Sequence, residues 1–189
     1  MASLRDIRNR IKSVKNTQKI TKAMKLVAAS KLRRAQESIN AARPYALEIG
    51  QALARVSSSV KDGDANVSHP LLDTRDIKRV LLVVLTSDRG LCGGFNANII
   101  RRADKFLRDN KDSYEEIEVA TIGRRGYEHF KKKQEIKLRN YSDVFSNLQF
   151  RDALEIAQEL SNDYVEGRVD AIYLLYNEFQ SAISQVVTL

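Results

Sequence analysis

The groups best able to do chemistry sit in one run, Thr86-Ser87-Asp88-Arg89-Gly90-Leu91-Cys92-Gly93-Gly94-Phe95-Asn96. It holds two hydroxyls, a carboxylate, a guanidinium, the only thiol of the chain and three glycines. It follows an apolar stretch and precedes an amphipathic one, which is where α/β folds bind ligands. A phosphate cradle is the sharpest reading, but the glycine spacing argues against it. G-x-x-G-G is neither G-x-G-x-x-G nor G-x-x-x-x-G-K-[ST], and no lysine follows to meet a phosphate. The better reading is a tight strand-to-helix turn, shaped by Asp88, Gly90, Gly93 and Gly94, that serves structure or a partner contact. Cys92 would need an activating partner to act as a nucleophile. No motif links it to a histidine, so a packed or semi-exposed thiol is expected. Asp88 reads as a turn cap with Arg89 beside it, and His69 and His129 read as solvated. No cluster of Cys, His and acids has metal-ligand spacing. The sequence therefore predicts no catalytic residue, no metal site and no cofactor.

The elements that position this run can be read on either side of it. Residues 1–43 hold twelve Lys/Arg and two acids, a local charge of +10 against +8 for the whole chain. Helix-favouring residues run from Ser3 to about residue 57, with no Pro before Pro44 and no Gly before Gly50. Ser3 reads as the N-cap, with Asp6 completing a near capping box. Leu4, Ile7, Ile11 and Val14 keep a 3–4 spacing. Ile20, Met24 and Val27 keep it on another face, and Ala28, Leu32, Ala35, Ile39, Ala42, Ala46, Ile49, Leu53 and Val56 carry the alternation on. Pro44 is expected to kink the helix or mark a boundary. Such a helix spans roughly 80 Å, whereas a domain of the remaining size has a radius of gyration near 13 Å. The helix is therefore expected to protrude.

Residues 58–76 are polar and carry Gly63 and Pro70, as a linker does. From residue 77 the texture alternates. Arg79–Ser87 reads as a strand buried on both faces, Asn96–Asn110 as a helix, Ile117–Ile122 as a strand and Arg124–Lys132 as a helix. Glu135–Arg139 reads as a short strand, and Ala153, Ala157, Leu160 and Tyr164 as the apolar face of a helix. Ala171–Tyr176 and Ile183–Leu189 complete the strands. The expected fold is α/β: a long basic coiled-coil-type helix (1–57), a linker (58–76) and a Rossmann-like domain with a mostly parallel sheet (77–189). One cysteine makes no internal disulfide and fits a reducing compartment. No apolar run approaches the length of a membrane span. An Arg-rich, acid-poor N-terminus also resembles a transit peptide. Without a cleavage-like break the helix is expected to be retained, in a bacterial-type cytoplasmic protein.

Three partners could use the basic helix. Nucleic acid suits the Lys/Arg density, but residues 1–43 contain no aromatic side chain for stacking. A membrane-surface helix would show one clean apolar stripe with Trp or Phe. Protein partners with acidic surfaces fit both the charge and the stepping stripe. Nucleic-acid binding is kept as the alternative.

LRDIRNRIKSVKNTQKITKAMKLVAASKLRRAQ (Leu4–Gln36) and TSDRGLCGGFN (Thr86–Asn96) resemble the gamma subunit of F-type ATP synthases, and the similarity continues through VDAIYLLYNEFQSAISQVVTL to Leu189. The resemblance implies a central rotor shaft whose N-terminal helix lies inside the ring of alpha and beta subunits. The α/β domain would sit at its foot, beside the epsilon subunit and the membrane c-ring. Lys19, Lys22, Met24 and Lys25 fall in the segment that, by resemblance, faces acidic beta-subunit loops. The implied role is mechanical, coupling proton flow to cycling of the catalytic sites. The implied place is peripheral, at the cytoplasmic face of the bacterial inner membrane. No cysteine-bearing insertion like that of chloroplast members is present. Family members continue past the position of Leu189 into a C-terminal helix that returns antiparallel. Leu4, Ile7, Ile11, Val14, Ile20, Met24 and Val27 are expected to pack on that helix.

Overall fold

The computed structural model describes residues 3–61, 69–73, 75–141, 144–146, 148–181 and 184–189. Residues 62–68 and 74 of the expected linker, and Ile183 at the start of the last expected strand, lie outside them. The chain divides into two compact units, residues 1–67 and 68–189.

The first unit is one helix, α1 (Leu4–Lys61), of 58 residues and about 87 Å. Its start is set by reciprocal capping. The Ser3 N–H donates to Asp6 Oδ2 at 3.1 Å, and Ser3 Oγ accepts from the Arg5 N–H at 3.2 Å. The helix continues through Pro44 and runs four residues past the expected end. Apart from the half-buried Leu32, its large apolar side chains are open, from Ile49 at 42% to Leu4 at 76% exposed. A face of this kind is stabilised only when something else covers it.

The second unit holds β1 (Arg79–Leu85), α2 (Phe95–Asp109), β2 (Glu116–Ile122), α3 (Arg124–Phe130), β3 (Leu138–Tyr141), α4 (Phe150–Val165), β4 (Ala171–Phe179) and β5 (Gln185–Thr188). The sheet order is β3-β2-β1-β4-β5. β1 pairs in parallel with β2 and β4, and β2 pairs in parallel with β3. β5 runs antiparallel to β4. The continuous apolar run of β1 is explained by burial on both faces. Val80, Leu82 and Val84 pack with Ile99, Ala103 and Phe106 of α2 and Phe130 of α3. Leu81 and Val83 pack on the other face with Ala120, Leu160 and Tyr164. Two sequence expectations need correction. The strand placed at Glu135–Arg139 is Leu138–Tyr141, because the chain leaving α3 turns first, with the Ile136 N–H bonded to Lys133 O. The apolar face of α4 is only half used: Leu160 and Tyr164 pack, whereas Ala153 and Ala157 are exposed.

Asp170 locks the lower end of the sheet. It is 7% exposed and accepts from the Lys78 and Arg79 N–H groups at 3.1 and 2.7 Å, and from Arg79 Nη2 at 3.1 Å. Burial pushes its carboxyl up, but the Arg79 guanidinium and the two backbone N–H groups outweigh this and hold it below the ordinary carboxylate value. A carboxylate lowered on folding stabilises above its unfolded pKa of about 4, and that stabilisation is lost as pH falls through the lowered value. Asp170→Asn should therefore cost about 1–3 kcal/mol at pH 7, and the deficit should fade below about pH 4. Urea melts of both forms between pH 7 and 3 test this, and a deficit independent of pH would refute it.

Candidate functional site

The glycine run closes on itself at the switch point, where α2 leaves β1 and β4 leads away on the other side. Thr86, 2% exposed, ends β1 with its N–H on Ile122 O at 2.8 Å. Its Oγ1 donates to Gly123 O at 3.2 Å and accepts from the Gly126 N–H at 2.8 Å. Asp88 Oδ1 accepts from the Arg124 N–H at 3.0 Å, so its partner lies on α3 and not in its own turn as the sequence suggested. The Arg125 N–H donates to Ser87 O at 3.2 Å. Asn96 fills the middle: its Oδ1 accepts from the Ser87 N–H at 2.9 Å, and its Nδ2 reaches Arg89 O and Cys92 Sγ, both at 3.2 Å.

The glycines do separate jobs. Gly93 adopts φ +58, the left-handed conformation glycine accepts at little cost. Gly90 lies beside the Arg125 guanidinium, which a Cβ would approach to 3.0 Å. Gly94 is the N-cap of α2 without a side-chain cap bond. Leu91 also has a positive φ, 61°, and its side chain is fully exposed. The turn thus spends Ser87, Asp88 and Asn96 on its own backbone and on the start of α3, and presents an apolar knob to its surroundings. Backbone conformations of this kind cluster at active sites, ligand clamps and switch regions. Cys92 is exposed.

This geometry leaves a phosphate poorly served. The backbone N–H at the start of α3 already has an anion, Asp88, and the Ser87 N–H is taken by Asn96. Calorimetric titration with Mg-ATP should show no micromolar binding to the chain; heat fitting a micromolar site would refute this reading.

The four residues of the basic helix, Lys19, Lys22, Met24 and Lys25, are all exposed. At about 100° per residue the three lysines step round one side of α1, whereas Met24 points elsewhere. They belong to the first unit and the glycine turn to the second. The histidines are less free than expected. His69 Nδ1 accepts from the Leu71 N–H at 3.2 Å. His129 Nε2 lies 3.1 Å from Asp104 Oδ2, and Lys133 Nζ lies 2.7 Å from Oδ1 of the same carboxylate. The sequence reading named Thr86 and Asn96 only as members of the run, without a role of their own, and did not single out Gly123. Among the described residues no group of three or more His, Cys, Asp or Glu could hold a metal.

The fold and turn define a class: an α/β protein with a doubly wound sheet, a self-bonded switch-point turn and a long basic helix. The chain belongs to the ATP synthase family, whose model matches residues 3–189. Among similar curated proteins, the ATP synthase gamma chain of Geobacter metallireducens is 53% identical over 189 residues, and that of Geotalea daltonii is 48% identical over the same span. This chain covers 64% of the length of each of these relatives. A solved central stalk and c-ring of the Tetrahymena thermophila mitochondrial ATP synthase is similar with TM-score 0.70 and 30% identity, covering 89% of this chain and 70% of that one. A rotor chain of the Euglena gracilis mitochondrial enzyme shares the fold, with TM-score 0.55 and 18% identity over 96% of this chain and 59% of that one.

Proposed function

We propose that this chain serves as the gamma-type central rotor of a proton-translocating ATP synthase, coupling flow through the c-ring to cycling of the catalytic beta subunits. The observation that carries this reading is the 53% identity to a gamma chain along all 189 residues. The partners are the alpha and beta subunits, the epsilon subunit and the c-ring. The site of action is the cytoplasmic face of the bacterial inner membrane, reached through the complex. Among the described residues no helix is long and apolar enough to cross a membrane, which is compatible with peripheral attachment. In this role the chain carries torque and not catalytic groups, so its chemistry is that of surfaces. Lys19, Lys22, Met24 and Lys25 are assigned to the beta-subunit contact, and the turn of Asp88, Gly90, Gly93 and Gly94 to holding the Leu91 knob.

The test is coupling. Lys19→Glu with Lys22→Glu, in the assembled enzyme in inverted membrane vesicles, reverses charge on the side assigned to acidic beta-subunit loops. Juxtaposing like charges costs several kcal/mol in total. Proton pumping per ATP hydrolysed should fall roughly twofold or more. An unchanged ratio would remove these lysines from the coupling contact.

A further inference from the structure

Among the described residues Leu91 is the only one other than glycine with a positive φ, 61°. That conformation is costly for a bulky side chain, because its Cβ crowds the following carbonyl oxygen. Glycine would be free of the cost, and the run already places glycine at 90, 93 and 94. The flanks impose the conformation. Arg89 O accepts from Ser87 Oγ at 2.7 Å and from Asn96 Nδ2 at 3.2 Å. On the other side, Cys92 Sγ accepts from Asn96 Nδ2 at 3.2 Å and Cys92 O from the Phe95 N–H at 3.3 Å. Gly90 is backed by the Arg125 guanidinium. Leu91 itself is 109% exposed, so no packing among the described residues offsets the strain.

The charges of this corner say what meets the knob. Arg124 and Arg125 share one carboxylate, Glu128, at 2.9 and 3.0 Å. Arg89 is exposed and has no ion pair among the described residues. Asp88 is turned onto the Arg124 N–H. Surplus positive charge round an apolar tip suits an apolar recess with carboxylates at its rim. A lipid surface is the poorer occupant, because it takes up an apolar face of several side chains and needs no single fixed direction. A side chain held in one direction by a costly backbone is useful against a recess of fixed shape, where preorganisation lowers the ordering cost of contact.

We infer that Leu91 is a coupling contact: it seats in an apolar, carboxylate-rimmed socket of a neighbouring protein subunit, and its left-handed backbone keeps it aimed there. This rests on the rotor reading and adds the residue by which the turn grips. Ser87, Asp88, Asn96 and Arg125 are then positioning residues, which hold the strained backbone in place. The fold gains nothing from the leucine side chain, so stability and coupling should separate when it is replaced.

Two substitutions separate the strain from the contact. Asparagine accepts the left-handed backbone but has no apolar body, whereas methionine keeps the apolar body together with the strain. In the full-length chain, assembled in inverted membrane vesicles, Leu91→Asn should lower proton pumping per ATP hydrolysed roughly twofold or more. Leu91→Met should keep most of it. The melting midpoint of the 189-residue chain should not fall in Leu91→Asn. Photo-leucine at position 91, irradiated in the same assembly, should form an adduct with a second protein chain, at apolar residues beside Asp or Glu. Parent-level pumping in Leu91→Asn would overturn the inference and leave the rotor reading intact. So would the absence of an adduct, or an adduct only with lipid, with its own chain or beside Lys and Arg. A midpoint lowered in step with pumping would make the leucine a structural residue and overturn the inference too. A parent assembly that hydrolyses ATP without pumping would sink the rotor reading, and this inference with it.

Discussion

Gly123→Ala should cost the α/β unit about 3–5 kcal/mol, the largest effect of any small substitution near the switch point. Gly123 has φ +99 and ψ 141, a region that side-chain-bearing residues almost never occupy. Sterics add to this, because a Cβ there would lie 2.1 Å from Thr86 O and 3.0 Å from Thr86 Oγ1. Neither atom is free to move. Thr86 is in the β1–β2 ladder through its N–H, and its hydroxyl holds Gly123 O and the Gly126 N–H together. Relieving the clash means opening the contact that aligns the glycine turn with α3, so Asp88 would lose its hold on the Arg124 N–H too. Six of the seven tyrosines lie after residue 68, so near-ultraviolet circular dichroism reports on this unit. Its midpoint should drop by about 10 °C or more. Gly50→Ala is the control. Gly50 lies inside α1, where an added Cβ would meet nothing within 4 Å, and alanine there should add helix stability of about 0.5–1 kcal/mol. A Gly123→Ala midpoint within about 1 °C of the parent would show that the turn does not depend on this contact.

That sensitivity was only partly legible in the sequence, for a reason that recurs along the chain. Features written within a few residues could be read directly. The buried run of β1, the helix that follows the glycine turn, and the Ser3–Asp6 cap are of this kind. Features that depend on which strands become neighbours could not. Gly123 looks like any glycine after a strand until β2 is laid beside β1 and brings Thr86 against it. Asp88 pairs with an N–H 36 residues away, so its own turn offered a plausible but wrong partner. The start of β3 depends on its register with β2, where Val119 faces Leu138, and Glu135 and Ile136 are apportioned to the turn by that pairing.

The same non-local logic sets the last expectation, on β3 at the edge of the sheet beside β2. Arg139→Met should destabilise the α/β unit by about 3–5 kcal/mol, although the new side chain is apolar and nearly as long. Arg139, on β3, holds Glu118 of β2 in a two-point pair, Nε–Oε1 2.6 Å and Nη2–Oε2 2.8 Å. Its Nη1 bonds Asp163 of α4 and lies 3.5 Å from Glu159. Glu118 and Asp163 are 19% and 3% exposed at their side chains, so water can do little for either charge once the guanidinium is gone. Arg168, bonded to Asp163 at 2.8 Å, stays behind, but its other ion pair is with Glu166. Tyr141 does not take up the charge. Burial, followed by the neighbouring Glu159 carboxylate, pushes its phenol up to about 12, so it remains neutral. The cost thus comes from orphaned anions and not from lost packing, and that is testable. Adding Glu118→Gln to Arg139→Met should recover a large part of the loss, and a double-mutant cycle should return a coupling of at least about 1 kcal/mol. Acidification should narrow the gap between Arg139→Met and the parent, since protonating a carboxylate removes the uncompensated charge. If Glu118→Gln gave no recovery and the gap were the same at pH 7 and pH 4, Arg139 would be acting through its packed stem, and α4 would be held to the sheet by Leu160 and Tyr164 alone.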